Sequence, residues 1–274
     1  MDYYEYDDVA KNYDRYISAL IDHRRFEHEG YLDFYHKLAK MFGLGGILDV
    51  GCGTGESLEH LTNNGFETDG IDISKSMCHA TSERMKNSGA SPHIYWGDIS
   101  VARIRRKYSL AIIARGGFCH FYDSSMQRSA FMRINRLLTK GGILAFDSFD
   151  PWPQKQALQM SEQARHYVLW VDYVNCDGNY EKIYKKEIYN PYTQQLKMDV
   201  LFETYNSAGK VTETRIRTIL TRQTYQSEIS LLAELCGFAV IGMYCGYNGS
   251  FCVQPPTILM DNPRPRLIWI LQKL

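Results

Sequence analysis

The stretch Ile47-Leu48-Asp49-Val50-Gly51-Cys52-Gly53-Thr54-Gly55 constrains this chain more than any other. Its first four residues, apolar except for Asp49, read as a short buried parallel strand bounded by glycines. The three alternate glycines that follow let the backbone turn sharply and come close to a ligand. From Glu56 to Asn64 the pattern is helical, with Leu58 and Leu61 on one face and Gly65 closing the end. A helix N-terminus with unpaired N–H donors therefore faces the loop. Several nucleotide-binding α/β folds share this strand, turn and helix, and spacing separates them. A dinucleotide loop needs GxGxxG, and counted from Gly51 its last glycine would fall on Glu56. A phosphate loop needs Gly-Lys-Ser/Thr, whereas Glu56-Ser57 follow Gly55. The loop is acidic, which suits a ligand with positive charge and no phosphates. Asp49 at the strand end can engage a cationic amine directly or through water.

Strands and helices then alternate. Gly70-Ile71-Asp72-Ile73 ends a second strand, and Ser74 is placed to cap a helix through Met85. His93–Trp96 and Tyr108–Ala114 read as a third and fourth strand, with the basic run Arg103–Lys107 as a solvated connection between them. Ser124-Ser125 opens a helix carrying Phe131, Ile134, Leu137 and Leu138, expected to stop at Gly141-Gly142 before a fifth strand, Ile143–Phe146. This alternation calls for a parallel sheet covered on both faces. Ahead of it, residues 1–41 read as helical, with Tyr31, Phe34, Tyr35, Leu38 and Met41 near the helical period. Beyond Pro151 the pattern changes to four strands, His166–Val174, Tyr180–Tyr189, Leu196–Tyr205 and Lys210–Thr221, separated by good turn residues. Leu196, Met198, Val200 and Phe202 alternate with Lys197, Asp199 and Glu203, so one face of this antiparallel meander is expected to be solvated. A helix over Tyr225–Cys236 and two strands, Phe238–Met243 and Arg266–Gln272, finish the chain. The expected organisation is a helical cap segment at 1–42, a core at 43–150 and 225–274, and an antiparallel insertion at 151–224.

Composition sets limits on partners. Thirty-one basic and 31 acidic residues cancel, which argues against a strong field for nucleic acid or an anionic membrane. No apolar run reaches the roughly 18 residues a bilayer span needs. The seven cysteines form no CxxC pair and no secretory signal precedes them, so a cytoplasmic protein with reduced thiols is expected. The histidines lack metal-ligand spacing, and no metal site is expected. Twenty tyrosines against 12 phenylalanines would suit a partly polar pocket.

With these motifs together, the sequence resembles the class I S-adenosylmethionine-dependent methyltransferases over residues 40–150 and 225–274. Ile47–Gly55 matches the first motif of that family. Asp72 matches the acidic residue that binds the cofactor ribose diol, where a carboxylate accepts both hydroxyl protons. Trp96-Gly97-Asp98-Ile99 matches the segment whose Asp accepts from the adenine amino group while an apolar neighbour packs on the ring. One departure stands at Tyr108-Ser109-Leu110, where the family often has aromatic-Asp-Leu. The resemblance implies an α/β, Rossmann-like seven-stranded methyltransferase sheet with an antiparallel β insertion after the fifth strand. It implies S-adenosylmethionine as cofactor, S-adenosylhomocysteine as product, and a cofactor set of Asp49, Gly51, Cys52, Gly53, Gly55, Asp72, Ile73, Asp98, Ile99 and Arg115.

The acceptor side is carried by fewer residues. Arg115–Phe121 leaves the carboxyl end of the fourth strand, where ligands bind in open parallel sheets. His120 there is the general-base candidate, its ordinary pKa lying near neutrality. Tyr13-Asp14 resembles the N-terminal "Tyr-Asp" segment of small-molecule methyltransferases, including amino-sugar N,N-dimethyltransferases, and the tyrosines ahead of it carry less weight. In those enzymes a Tyr of this segment and a His of the loop after the fourth strand flank the accepting amine; Tyr13 and His120 match them by order. The leading expectation is methyl transfer to N or O of a small molecule, with the insertion's edge strands available for a homodimer. A methyltransferase acting on RNA or protein is a second reading, disfavoured by neutral charge and by the absence of an Asn/Asp-Pro-Pro-aromatic motif after the fourth strand. A cofactor-binding cyclase or regulator on the same fold is a third.

Overall fold

Strand β1 (Ile47–Val50) is wholly buried, and everything else is arranged around it. The computed structural model describes residues 6–7, 9–23, 30–89, 91–149, 151, 153–249, 251–252 and 266–274. Ahead of β1 lie α1 (Tyr13–Asp22), entered through a 3-10 turn at Ala10–Asn12, and α2 (Tyr31–Phe42). The cap segment is therefore two helices. Gly30, with φ of 80°, stands at the N-terminus of the second, a backbone region that L side chains seldom enter. After β1 come α3 (Glu56–Asn63), β2 (Thr68–Asp72), α4 (Lys75–Asn87), β3 (Ile94–Trp96) and β4 (Tyr108–Ile113). Ser74 caps α4 by accepting from the Met77 N–H at 3.1 Å.

Helix α5 (Ser124–Leu137) starts where expected and ends earlier than its expected stop at Gly141-Gly142. Its cap is Asp123, which accepts from Met126 N at 2.8 Å, and the chain leaves the helix at Leu138 to enter β5 (Leu138–Ser148). The glycines at 141 and 142 fall inside that strand, with Gly141 at φ 71°, and the pairing with β4 is irregular at this point. A bulge, not a helix stop, is what they supply. Helix α6 (Pro153–Met160), unforeseen in the sequence, opens the insertion with a proline suited to its first turn. Strands β6 (Val168–Val174), β7 (Tyr180–Asn190), β8 (Gln195–Tyr205) and β9 (Val211–Arg222) follow, then α7 (Gln226–Leu235), β10 (Phe238–Cys245), β11 (Phe251–Cys252) and β12 (Leu267–Lys273).

The main sheet runs β11-β10-β12-β5-β4-β1-β2-β3. Its seven longer strands are those expected, and the two-residue β11 adds an eighth at the edge. Chain order reverses between β1 and β4, which pair with each other in parallel. A crevice opens at such a reversal, above the carboxyl ends of the two strands. Asp49 lies near the end of β1, and Arg115 follows β4 by two residues.

The insertion is a separate antiparallel sheet in the order β6-β7-β8-β9, a simple meander. Val171, Ile183, Val200, Phe202 and Ile219 form its apolar face and pack on Val9, Tyr16, Ile17 and Leu20 of the N-terminal segment. The opposite face carries Lys197, which is exposed, and Asp199, covered by Thr218, Lys186 and Lys197. Burial of these apolar faces fastens α1 and the insertion together, and the pair forms a roof over the crevice. Among the described residues, no helix is long and apolar enough to cross a membrane.

Candidate active site

The crevice between β1 and β4 contains a cavity of about 220 Å³. Of the residues singled out in the sequence, Tyr13, Asp49, Gly51, Cys52, Gly53, Asp72, Ile73, Asp98, Ile99, Arg115 and His120 line it. Gly55 does not; its position at the cap of α3 shapes the loop. The three loop glycines take φ of 75°, 56° and 84°. A Cβ on Gly51 or Gly53 would meet nothing, because both face open cavity, while one on Gly55 would strike Thr81 Cγ2 at 2.7 Å. The first two thus keep the backbone bare towards a ligand, and the third allows α4 to pack. The Cys52 thiol is buried against Gly70 and Thr81, and its contribution is packing.

Two groups at the β1 and β4 ends are incompletely paired. Asp49 is 1% exposed, and its Oδ2 accepts from the Ser57 hydroxyl. Its Oδ1 is buried without a hydrogen bond among the described residues. Burial pushes the carboxyl up to about 7, against the pull of the Ser57 bond. Arg115 donates from Nη1 to Glu56 Oε2 at 2.8 Å, while Nε and Nη2 are buried without a partner among the described residues. Its guanidinium lies 5.9 Å from the Tyr13 ring centre and 5.4 Å from that of Tyr31. A buried polar atom left unpaired on a cavity wall implies an outside partner. One orphaned carboxylate oxygen and two orphaned guanidinium N–H groups on one cavity fit the amine and carboxylate of an α-amino acid.

Further along the same wall, Asp72 accepts from Gly53 N and Ser74 N, each at 2.8 Å. Its pKa is raised by burial, opposed by those two N–H bonds. The two bonds fix the carboxylate at the cavity edge, with lone pairs left for a diol. Ile73 is 40% exposed, and it lines the cavity together with Asp98 and Ile99. Asp98 Oδ1 accepts from Ser100 N at 2.8 Å, holding the turn after β3. An apolar side chain without a protein partner next to an acceptor is a suitable seat for a flat heteroaromatic ring.

The roof contributes residues the sequence did not single out. The Tyr6 hydroxyl and His120 Nε2 are 3.1 Å apart, with the rings edge to face at 5.4 Å. The tyrosines ahead of Tyr13 were given little weight, yet this one meets the proposed acceptor histidine. Arg217 of β9 stacks over the Tyr6 ring at 4.8 Å. Burial, and secondarily the Arg217 charge, push His120 down to about 4, so its imidazole is neutral at physiological pH. That is far below the neutrality expected of it as a general base. Burial raises the Tyr13 pKa. The segment is latched at two places. Asp7 accepts from Ser76 N at 3.1 Å and from the Ser74 hydroxyl, and Asp14 accepts from the Thr54 hydroxyl at 2.7 Å and pairs with Arg84. Phe121, Tyr122 and Met126 complete the acceptor end of the cavity.

Strand order, glycine loop and carboxylates together match the Rossmann-like fold of the class I S-adenosylmethionine-dependent methyltransferases. Residues 47–142 match the profile of the family described as "Methyltransferase domain". A Geobacillus sp. (strain WCH70) protein provisionally named a methyltransferase is 26% identical over 145 residues, 52% of this chain and 56% of that protein. The dTDP-3-amino-3,4,6-trideoxy-alpha-D-glucopyranose N,N-dimethyltransferase of Streptomyces venezuelae is 26% identical over 106 residues, 39% of this chain and 42% of that enzyme. These matches span only about half the length of the curated relatives. The crystal structure of an S-adenosylmethionine-dependent methyltransferase from Clostridium acetobutylicum ATCC 824 superposes with a TM-score of 0.73 at 17% identity, covering 95% of this chain and 98% of that one. At that identity the likeness is one of fold.

Proposed function

We propose that the protein transfers a methyl group from S-adenosylmethionine to a nitrogen of a small molecule. The observation that carries this reading is the pairing of Asp49 Oδ1 with Arg115 Nε and Nη2 as orphaned, oppositely charged groups on one cavity. They would hold the amine and carboxylate of the donor's methionine end, with Asp72 on the ribose and Ile73, Asp98 and Ile99 about the adenine. When bound, S-adenosylmethionine supplies a methyl group on a positively charged sulfur. The chain's own residues have to bring a nucleophile into line at about 3 Å and keep water out.

The choice of nitrogen follows from the acceptor end. A hydroxyl acceptor needs a base that titrates near neutrality. His120, held near 4, is a weak base, and burial makes Tyr13 harder to ionise. A neutral imidazole and two phenols can still accept or donate hydrogen bonds to an amine that arrives unprotonated. A cavity partly covered by the N-terminal segment favours a small acceptor over a macromolecule. The sugar-amine activity named for the Streptomyces venezuelae relative accords with this choice. The test is methyl transfer from radiolabelled S-adenosylmethionine to a panel of amines, phenols and carboxylates. Transfer confined to amines is expected; transfer to phenols alone would overturn the nitrogen assignment, and calorimetry showing no cofactor binding would overturn the whole reading.

A further inference from the structure

Arg115 and Gly116 follow β4 in consecutive left-handed conformations, at φ of 58° and 79°. For a residue with a Cβ this is a costly conformation that neighbours must hold in place. The holders lie behind the cavity and are absent from its lining. Asp147, at the end of β5 and 0% exposed, accepts from the Gly116 N–H at 2.6 Å. The same oxygen takes Nη1 of the buried Arg266, and that nitrogen also donates to the Tyr247 hydroxyl at 2.9 Å. The Tyr247 hydroxyl is thus held inside the cluster, and its ring is buried. The Gly116 amide of the strained turn is thereby tied to one buried cluster of Asp147, Arg266 and Tyr247, and Tyr35 closes it by donating to Asp147 Oδ1 at 3.4 Å. Phe149 stacks on the Arg266 guanidinium at 5.0 Å and lies 3.1 Å from where a Gly116 Cβ would be.

We infer that Tyr247, with Asp147 and Arg266, is a positioning residue that holds the Arg115 turn left-handed so that its guanidinium faces the carboxylate of the methyl donor. The inference rests on the carboxylate role proposed for Arg115. Without the cluster, Arg115 would relax towards an ordinary conformation and carry its two orphaned N–H groups away from the cavity. Asp147→Asn leaves Arg266 buried without its counter-charge and risks unfolding. Tyr247→Phe removes one hydroxyl and keeps the ion pair and the ring packing, so it is the variant of choice.

Calorimetry with S-adenosylmethionine and with its decarboxylated form reads the effect, alongside thermal melting of each variant. Tyr247→Phe should weaken S-adenosylmethionine about tenfold and leave the decarboxylated ligand unchanged. Arg115→Ala should show the same selectivity, and the double variant should lose no more than Arg115→Ala alone. Equal weakening of both ligands by Tyr247→Phe, or additive losses in the double variant, would overturn the positioning role. If Arg115→Ala itself fails to distinguish the ligands, the carboxylate reading of Arg115 falls, and the positioning role with it.

Discussion

Asp49→Asn should make the ligand-free protein more stable at alkaline pH while weakening its hold on the cofactor. The carboxyl is 1% exposed, and its pKa rises from the ordinary 3.8 to about 7, chiefly through burial. Below pH 4 both folded and unfolded chains hold the proton. Between pH 4 and 7 the folded chain keeps a proton that the unfolded chain has lost, so stability falls as pH rises, and above 7 the loss is complete. A rise of that size corresponds to about 4 kcal/mol. Asparagine keeps the shape and an acceptor for Ser57 but has no charge to bury. Thermal or urea unfolding of the two ligand-free proteins at pH 4.5 and pH 8 should therefore show the variant gaining on the parent as pH rises. Its cofactor affinity at pH 8 should fall by about 2 kcal/mol, roughly thirtyfold, the worth of a hydrogen bond to a charged group. Binding to the parent at pH 7 should also release protons, because an ammonium beside Asp49 ionises the carboxyl. Calorimetry in buffers of different ionisation enthalpy measures that release. If the stability difference is independent of pH, or if the variant binds the cofactor as the parent does, then Asp49 is not the buried, cation-seeking carboxylate described above.

Three other perturbations separate the roles of the remaining residues. His120→Ala should cut turnover about tenfold, the loss of one hydrogen bond that positions the acceptor, with cofactor affinity nearly intact, as calorimetry would show; a collapse of affinity would place the ring on the cofactor side. Because burial holds His120 near 4, its imidazole resonances should not titrate between pH 5 and 8, and an NMR midpoint near 6.5 would contradict the buried, neutral assignment. Asp72→Ala should weaken cofactor binding by at least about tenfold, from the loss of charge-assisted bonds to a diol, whereas unchanged affinity would remove it from the ribose site. Gly55→Ala forces a Cβ into φ of 84° and to within 2.7 Å of Thr81 Cγ2. It should cost about 2 kcal/mol, several degrees in Tm, and an unaltered melting curve would refute the packing argument.

The wall of the cavity proposed to hold the methyl donor was legible in the sequence for a geometric reason. β1, β2, β3 and β4 lie side by side in the sheet, and each ends at the same crevice. A residue within two positions of a strand end is therefore at the site, so short local patterns at Asp49–Gly55, Asp72, Asp98 and Arg115 could locate it. Where the fold was misjudged, a local pattern had two meanings. Gly141-Gly142 looks like a helix stop and serves as a bulge within β5, because Leu138 is already paired to Tyr108 of β4. The insertion's alternation was clear in β8, but nothing in it revealed that α1 would cover the apolar face.

The acceptor end was legible only at Tyr13 and His120, because its other residues come from segments with no fixed spacing between them. Tyr6 meets His120 across 114 positions of sequence, and Arg217 reaches the same rings from β9. Their meeting depends on the insertion folding back over the N-terminal segment, which is decided by apolar burial between two surfaces and not by any motif. The same folding-back changes what His120 is. Free in a loop it would titrate near neutrality and pass for a base; buried beside Arg217 it stays neutral and positions its partner by accepting or donating a hydrogen bond. The residue identified from sequence was a resident of the cavity, but its chemistry belongs to the roof above it. The choice of nitrogen as acceptor therefore rests on the insertion, a part of the chain unlike the glycine loop in kind.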